Sequence, residues 1–216
     1  AGTKSDSDVR MNFPNSHRVN TIYGEISDID LDNQIVSVGQ TKVDYSELII
    51  GLGCEDKYHN VPGAKEYTHS IQTLSKARET FHSISELPKG ARVGIVGAGL
   101  SGIELASELR ESRTDLEIIL YDRGPRILRN FPEKLSNYIA KWFRENNVNV
   151  VPNSLIDKVE QGTIYNGGTP EPVDIVVWTA GIQPVEIVRK LPIDTNKSGR
   201  VIVNQYHQVP TYKNVY

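Results

Sequence analysis

The rhythm of hydrophobic and polar positions changes several times along the chain. Residues 1–18 are polar and lack periodicity, so they are expected to form a mobile lead-in. Val19–Ile29, Gln34–Val38 and Lys42–Val43 are short strand-like runs interrupted by the turn former Asp32-Asn33, and they predict antiparallel pairing. Leu48–Leu52 is a compact apolar run marked by Gly51 and Gly53. It reads as a buried strand whose end admits close approach of a ligand or another backbone. Tyr58–Tyr67 carries Pro62-Gly63 and reads as a loop. From Ser70 the spacing becomes helical: Ile71, Leu74, Ala77, Phe81 and Ile84 define one packed face, and Pro88-Lys89-Gly90 ends the segment as a crossover between domains.

Beyond residue 90, strand-sized and helix-sized patterns alternate. Val93, Ile95 and Val96 form a buried run, followed by Ile103, Ala106 and Leu109 at helical spacing with Leu105 beside them, to about Arg110. Leu116–Tyr121 is a second strand, and Arg123–Phe131 is irregular. A helix is predicted from Pro132 to Asn146, with Pro132 at the first helical position and Leu135, Ile139, Trp142 and Phe143 on one face. Val148–Val151 follows as a third short strand. Ile156–Val159 and Thr163–Tyr165, joined through Gln161-Gly162, predict an antiparallel hairpin, after which Val173–Trp178 returns as a buried strand. The expected class is α/β: a Rossmann-like parallel sheet with an antiparallel crossover hairpin, accompanied by strands of a second, partial domain.

The candidate chemistry lies where the first of these strands meets its helix. Residues 97–102 read G-x-G-x-x-G, with Ala98 and Leu100 between the glycines. Gly97 would make the tight turn, Gly99 would admit a pyrophosphate against the backbone, and Gly102 would let helix and sheet pack closely. The free amides of the first helical turn would face the phosphates. Asp122 lies 20 residues beyond Gly102, where a carboxylate meets an adenosine ribose and repels a 2'-phosphate. That favours NAD(H) or the adenosine half of FAD. The neighbouring Arg123 could turn toward a phosphate and leaves NADP open. Ala180, Gly181, Ile182 and Gln183 follow the returning strand, and ligands in open sheets lie beyond the carboxyl ends of strands. A strand followed by an ordinary turn is the alternative there.

Composition narrows the function classes. With 216 residues and 38% hydrophobic content, the chain can bury a sizeable core. A net charge of -3 offers no field that would gather nucleic acid. The apolar runs are strand-sized, so no membrane span is expected, and the first residues have no signal-peptide core. Cys54, the sole cysteine, excludes an internal disulfide, a C-x-x-C pair and a thiolate zinc cluster; it reads as a small buried residue of a protein in a reducing cytosol. The five histidines have neither H-x-x-x-H nor H-E-x-x-H spacing, so no metal site is expected. Ser101 stands outside a G-x-S-x-G elbow, which removes the hydrolase reading.

Taken in order, VDYSELIIGLG, VGIVGAGLSGIELASEL, the strand ending YDRGPRIL, and VVWTAGIQP resemble the flavoprotein oxidoreductases with two dinucleotide-binding domains. Within them the chain is most similar to the type II NADH dehydrogenases. The resemblance implies FAD in one Rossmann-like domain and NADH in a second domain inserted into it, with hydride passing to the flavin and electrons to a membrane quinone. It assigns Gly97, Gly99 and Gly102 to the NADH pyrophosphate turn, Asp122 to the ribose, and Ala180–Gln183 to the segment returning from the NADH domain. Ile50, Gly51, Leu52 and Gly53 match the strand end that approaches the flavin nucleotide. Glu104 matches an acidic residue lying toward nicotinamide and flavin; without the family it is a helix carboxylate near a positive dipole end.

The implied organisation is a lead-in over 1–18, a partial FAD-binding domain over 19–89, an NAD(H)-binding domain over 90–183, and a returning FAD-domain segment over 184–216. Residues 1–18 hold no strand with G-x-G-x-x-G, and the Gly-Asp segment of the family lies past Tyr216, so this chain alone is expected to retain flavin weakly or not at all. The whole protein would be cytoplasmic, able to attach to the membrane face, with its oligomeric state open. Two other readings stay open: an NAD(P)H-dependent flavoprotein reductase with another acceptor such as ferredoxin, and a noncatalytic nucleotide-responsive domain.

Overall fold

In the computed structural model, the described residues are 6–11 and 16–216. The expected lead-in over 1–18 therefore lies partly outside the described residues; within it, Asp6–Val9 forms a short helix, α1. The strands β1 (Ile26–Asp30), β2 (Ile35–Val38) and β3 (Thr41–Asp44) pair antiparallel in that order. The turn after β1 is fixed by the Asp30 carboxylate, which accepts hydrogen bonds from the Asn33 backbone amide at 2.9 Å and its side-chain amide at 2.8 Å. β1 begins at Ile26 rather than Val19. Val19, Ile22 and Tyr23 remain exposed, so alternation there is not backed by burial.

Leu48–Leu52 also departs from expectation. Leu48 makes an isolated parallel bridge to Val215 and Ile50 N–H donates to Tyr216 O at 2.8 Å, but Ile49 is 80% exposed and no regular strand forms. Cys54 is half-buried on β4 (Cys54–Asp56). After it come α2 (Ala64–Tyr67), in a segment expected to be all loop, and α3 (Leu74–Ser85), whose first turn is capped by Thr73 Oγ1 accepting from Lys76 N–H. The buried face of α3 is Thr80 and Ile84; Phe81, expected on that face, is 44% exposed. Thr80 takes the inner place because its hydroxyl donates to Ser70 O at 2.7 Å.

The remaining elements are β5 (Arg92–Val96), α4 (Leu100–Ser112), β6 (Glu117–Tyr121), α5 (Glu133–Glu145), β7 (Val148–Val151), β8 (Ile156–Glu160), β9 (Thr163–Asn166), β10 (Thr169–Pro172), β11 (Ile175–Trp178), β12 (Ile182–Pro184) and α6 (Glu186–Arg189). Pro132 is the cap of α5 rather than its first helical residue. β11, β5, β6 and β7 form a parallel sheet in that order. Alternate residues of its strands serve two cores. Val93, Ile95, Ile118, Leu120 and Val177 pack with Ile103, Ala106 and Leu109 of α4 and Phe143 of α5, while Val96, Tyr121, Val176 and Trp178 pack with Val159 and Ile164 of the antiparallel sheet β10-β9-β8. The hairpin expected from Gln161-Gly162 is present and carries β10 as a third strand. Pro170 and Pro172 mask it in sequence, and they are tolerated there because β10 is an edge.

The chain divides into two units: Asp56–Ile182, and the described residues up to Glu55 together with Gln183–Tyr216. The first unit starts well ahead of the boundary expected at residue 90, because Ile84 of α3 is part of the same core as β5 and α4. The second has its own core of Ile29, Leu31, Leu191, Val209 and Val215. No helix among the described residues is long and apolar enough to cross a membrane.

Candidate functional site

The carboxyl ends of β5, β6 and β11 open onto one crevice of about 240 Å³, lined among others by Gly97, Tyr121, Asp122, Arg123, Trp178 and Ala180. Its floor is the turn from β5 into α4. Gly97 has φ +107°, and its amide donates to Tyr121 O at 2.7 Å. A Cβ at Gly97 would lie 2.7 Å from Ala180 Cα, and one at Gly102 would overlap the Gly97 carbonyl oxygen. These two glycines are therefore required by the packing of the unit itself. Gly99 differs: a Cβ there meets nothing within 4 Å, so the open space lies above the middle glycine. The first-turn amides of α4, which helix geometry leaves without intrahelical acceptors, border that space. This cradle fits a pyrophosphate.

The tail of β11 is fastened to the turn. Thr179 N–H donates to Val96 O at 2.8 Å, and its hydroxyl lies 3.0 Å from Val96 O and 2.9 Å from Gly97 O. Trp178 is 2% exposed; its Nε1–H donates to Lys57 O at 3.0 Å, and its ring stands 5.9 Å from that of Tyr58. Lys57 N–H donates in turn to Gly181 O at 2.9 Å. His59 approaches Ala180 O with Nε2 at 3.1 Å, and at Gly181, φ +148°, a Cβ would meet the same imidazole nitrogen at 3.1 Å.

Asp122 sits at the end of β6 with both carboxylate oxygens engaged. Oδ2 accepts from Ala98 N–H and Oδ1 from Gly124 N–H, each at 2.7 Å. It thereby ties the glycine turn to the loop after β6, and two of its lone-pair positions remain able to accept further hydrogen bonds. Tyr121, one residue earlier, donates its hydroxyl to Glu171 Oε2 at 2.7 Å. Burial, then this hydrogen bond, pushes its ionisation well above the ordinary phenol value, so it stays neutral.

The structure thus brings Gly97, Asp122, Arg123 and Ala180 to one crevice, with Ala98 buried beneath it and Gly99 and Leu100 exposed at the head of α4. Glu104 lies elsewhere: it is exposed on α4 and borders a separate apolar groove with Ile71, Ala77, Phe81 and Leu105. Ile182 begins β12. Gln183 belongs to the second unit, where its amide donates to Glu55 Oε1 at 3.0 Å. Ile50, Gly51, Leu52 and Gly53 are also in that unit, and a Cβ at Gly51 or Gly53 meets nothing within 4 Å. The two glycines are thus uncrowded on that side, whereas the described residues of that unit hold no strand–glycine–helix cradle of the kind found at Gly97. Sequence reasoning missed His59, Arg129 and Ser154–Ile156, which also line the crevice. The rule that loops at carboxyl ends of parallel strands gather around the ligand pointed to the last of these; nothing local marked His59.

Comparisons with known proteins agree with this architecture. The profile of the family described as pyridine nucleotide-disulphide oxidoreductase matches residues 5–216. The chain is 50% identical over its whole length to the NADH dehydrogenase-like protein YutJ of Bacillus subtilis, of which it spans 61%. It is 21% identical, again over its whole length and 61% of the relative, to the type II NADH:quinone oxidoreductase of Staphylococcus saprophyticus. In fold it is similar to a ferredoxin reductase from Rhodopseudomonas palustris, with a TM-score of 0.78 and 20% identity over 90% of this chain and 48% of that one. The chain belongs to the pyridine nucleotide-disulphide oxidoreductase family.

Proposed function

We propose that the unit Asp56–Ile182 binds NAD(H) and is the nucleotide-binding portion of a flavoprotein NADH dehydrogenase. The observation that carries this is the cradle itself: two glycines that the packing demands flank a third whose Cβ direction is empty, with Asp122 tied to the same turn. In this reading the amides from Gly99 to Gly102 hold the pyrophosphate, Asp122 accepts from the adenosine ribose, and Ala180 and Gly181 pass along the nicotinamide half. Ile50–Gly53 contribute to the FAD site of the whole protein. FAD, when bound, supplies the redox chemistry, accepting the hydride and releasing electrons to an acceptor. This chain's residues orient the nucleotide and exclude water around it. Quinone is the acceptor favoured by the name of the Staphylococcus relative.

Two experiments test this. Gly99→Ala should leave the melting temperature nearly unchanged, because the new methyl has open space and the backbone there is extended, yet weaken NADH at least tenfold in a calorimetric titration. Unchanged affinity would remove the cradle from the reading. The whole protein, loaded with FAD, should then oxidise NADH with a soluble quinone faster than with ferredoxin. Preference for ferredoxin would reassign the acceptor, and NADH binding without turnover would make the unit a nucleotide-responsive module.

A further inference from the structure

His59 and Val61 bring one loop, residues 57–61, to the wall of the crevice. Val61 N–H donates to Tyr58 O at 2.9 Å, which closes a turn with His59 and Asn60 at its two central positions. Both have left-handed backbone, φ +51° and +59°. Glycine, asparagine and aspartate dominate such turns, so Asn60 suits this one and the turn itself gives no reason for an imidazole. The imidazole instead reaches across to the tail of β11, where its Nε2 lies 3.1 Å from Ala180 O. A carbonyl only accepts, so this nitrogen carries the hydrogen and donates it. The next carbonyl, Gly181 O, accepts from Lys57 N–H at 2.9 Å. Two successive peptides of the tail are thus held by one loop. A Cβ at Gly181 would meet the same ring nitrogen at 3.1 Å, so the glycine there keeps the imidazole's path clear.

The hydrogen bonds of this region differ in what they do for folding. Trp178 is buried and fixes the loop through Lys57 O, and Thr179 is tied to Val96 and Gly97 whatever happens at Ala180. His59 is exposed, and an exposed hydrogen bond adds little to stability because water replaces it. Its effect is directional. In a planar trans peptide the carbonyl and the following amide point opposite ways, so fixing Ala180 O also fixes Gly181 N–H. We propose that His59 is a positioning residue for the nucleotide: through Ala180 O it sets the plane of the Ala180–Gly181 peptide against which the nicotinamide half is laid. Holding that peptide in advance spares the complex the cost of ordering it. The proposal rests on the nucleotide reading above and adds to it a residue that neither the glycine turn nor the ribose-binding acid marks.

The test is calorimetric titration with NADH, and with ADP-ribose, which lacks the nicotinamide ring, of this chain and its variants His59→Ala and His59→Gln. His59→Ala should weaken NADH about fivefold while ADP-ribose changes by less than about twofold, with the melting temperature held within about 2 °C. His59→Gln should recover most of the lost affinity, since its amide can donate to Ala180 O as the imidazole does. A histidine that served only the fold would lower the melting temperature and weaken both ligands together. Equal losses for NADH and ADP-ribose, unchanged NADH affinity in His59→Ala, or a loss that His59→Gln does not recover overturns this inference and leaves the nucleotide reading intact. Failure of the unaltered chain to bind either ligand overturns the two together.

Discussion

Two apolar runs punctuated by glycine, Arg92–Gly97 and Leu48–Gly53, look alike in sequence and end differently. The first becomes β5, paired on both edges by β11 and β6, with Val93 and Ile95 fully buried. The second makes one isolated bridge to Val215 and leaves Ile49 on the surface. Their glycines differ in the same sense. Side chains at Gly97 and Gly102 would collide with backbone of their own unit, while at Gly51 and Gly53 they would meet nothing. Hydrophobicity fixes which residues favour burial; partners on both edges decide whether a strand results. A glycine can be kept for the unit's own packing or for something that comes against it.

The sharpest way to break this contrast is Gly102→Ala. Its methyl would overlap the Gly97 carbonyl, and backbone cannot yield cheaply there, so unfolding in urea should show a loss of about 3 kcal/mol. Near-native stability would mean that the turn relaxes and that crowding does not fix it. Asp122→Asn comes next, at about 2 kcal/mol, because an amide oxygen can replace only one of the two acceptors that now serve Ala98 and Gly124. In the other run, Gly53→Ala should cost about 1 kcal/mol for its left-handed backbone, φ +73°. Gly51→Ala should change stability by less than about 0.5 kcal/mol. A larger effect at Gly51 would reveal a contact that its surroundings do not suggest.

The smallest effect concerns acid. In the first unit, the hydrogen bond from Arg113 holds the Asp115 carboxyl down to about 2; in the second, hydrogen bonds from Asn33 hold Asp30 below the usual carboxylate range. A depressed carboxyl contributes stability that is fully present above its unfolded value, near pH 4, and is lost as pH falls through the folded value. Asp115→Asn should therefore flatten the decline in stability between about pH 4 and about pH 2. A decline as steep as before would place the acid sensitivity elsewhere.

Much of the first unit was legible because each element announces itself locally. The run Val93–Val96, the glycine turn and the spacing of Ile103, Ala106 and Leu109 all agree with a parallel sheet covered by helices. What stayed hidden depends on partners distant in sequence. β10 contains two prolines and exists only because β9 offers it an edge, and α3 joins the first unit through Ile84, a contact that no pattern within the helix reveals. The crevice divides in the same way. Gly97 and Asp122 could be found from spacing, but His59 and Arg129 reach it through loops whose shapes are set by Lys57, Trp178, Arg126 and Leu128.

The way the chain leaves and re-enters its second unit carries a further consequence. That unit holds its own two cut ends together, with Glu55 accepting from Gln183 and Arg189, while the inserted unit closes its ends through Lys57 and Gly181. For the host, the whole inserted body is then equivalent to a short hairpin turn: the chain departs and returns at neighbouring points whatever lies between them. Loop-closure entropy grows only slowly with length, and here it is offset twice, once on each side of the junction. Such a body can be lengthened, exchanged or cut out as one continuous cassette, and the strands that receive it need register only the distance between its ends.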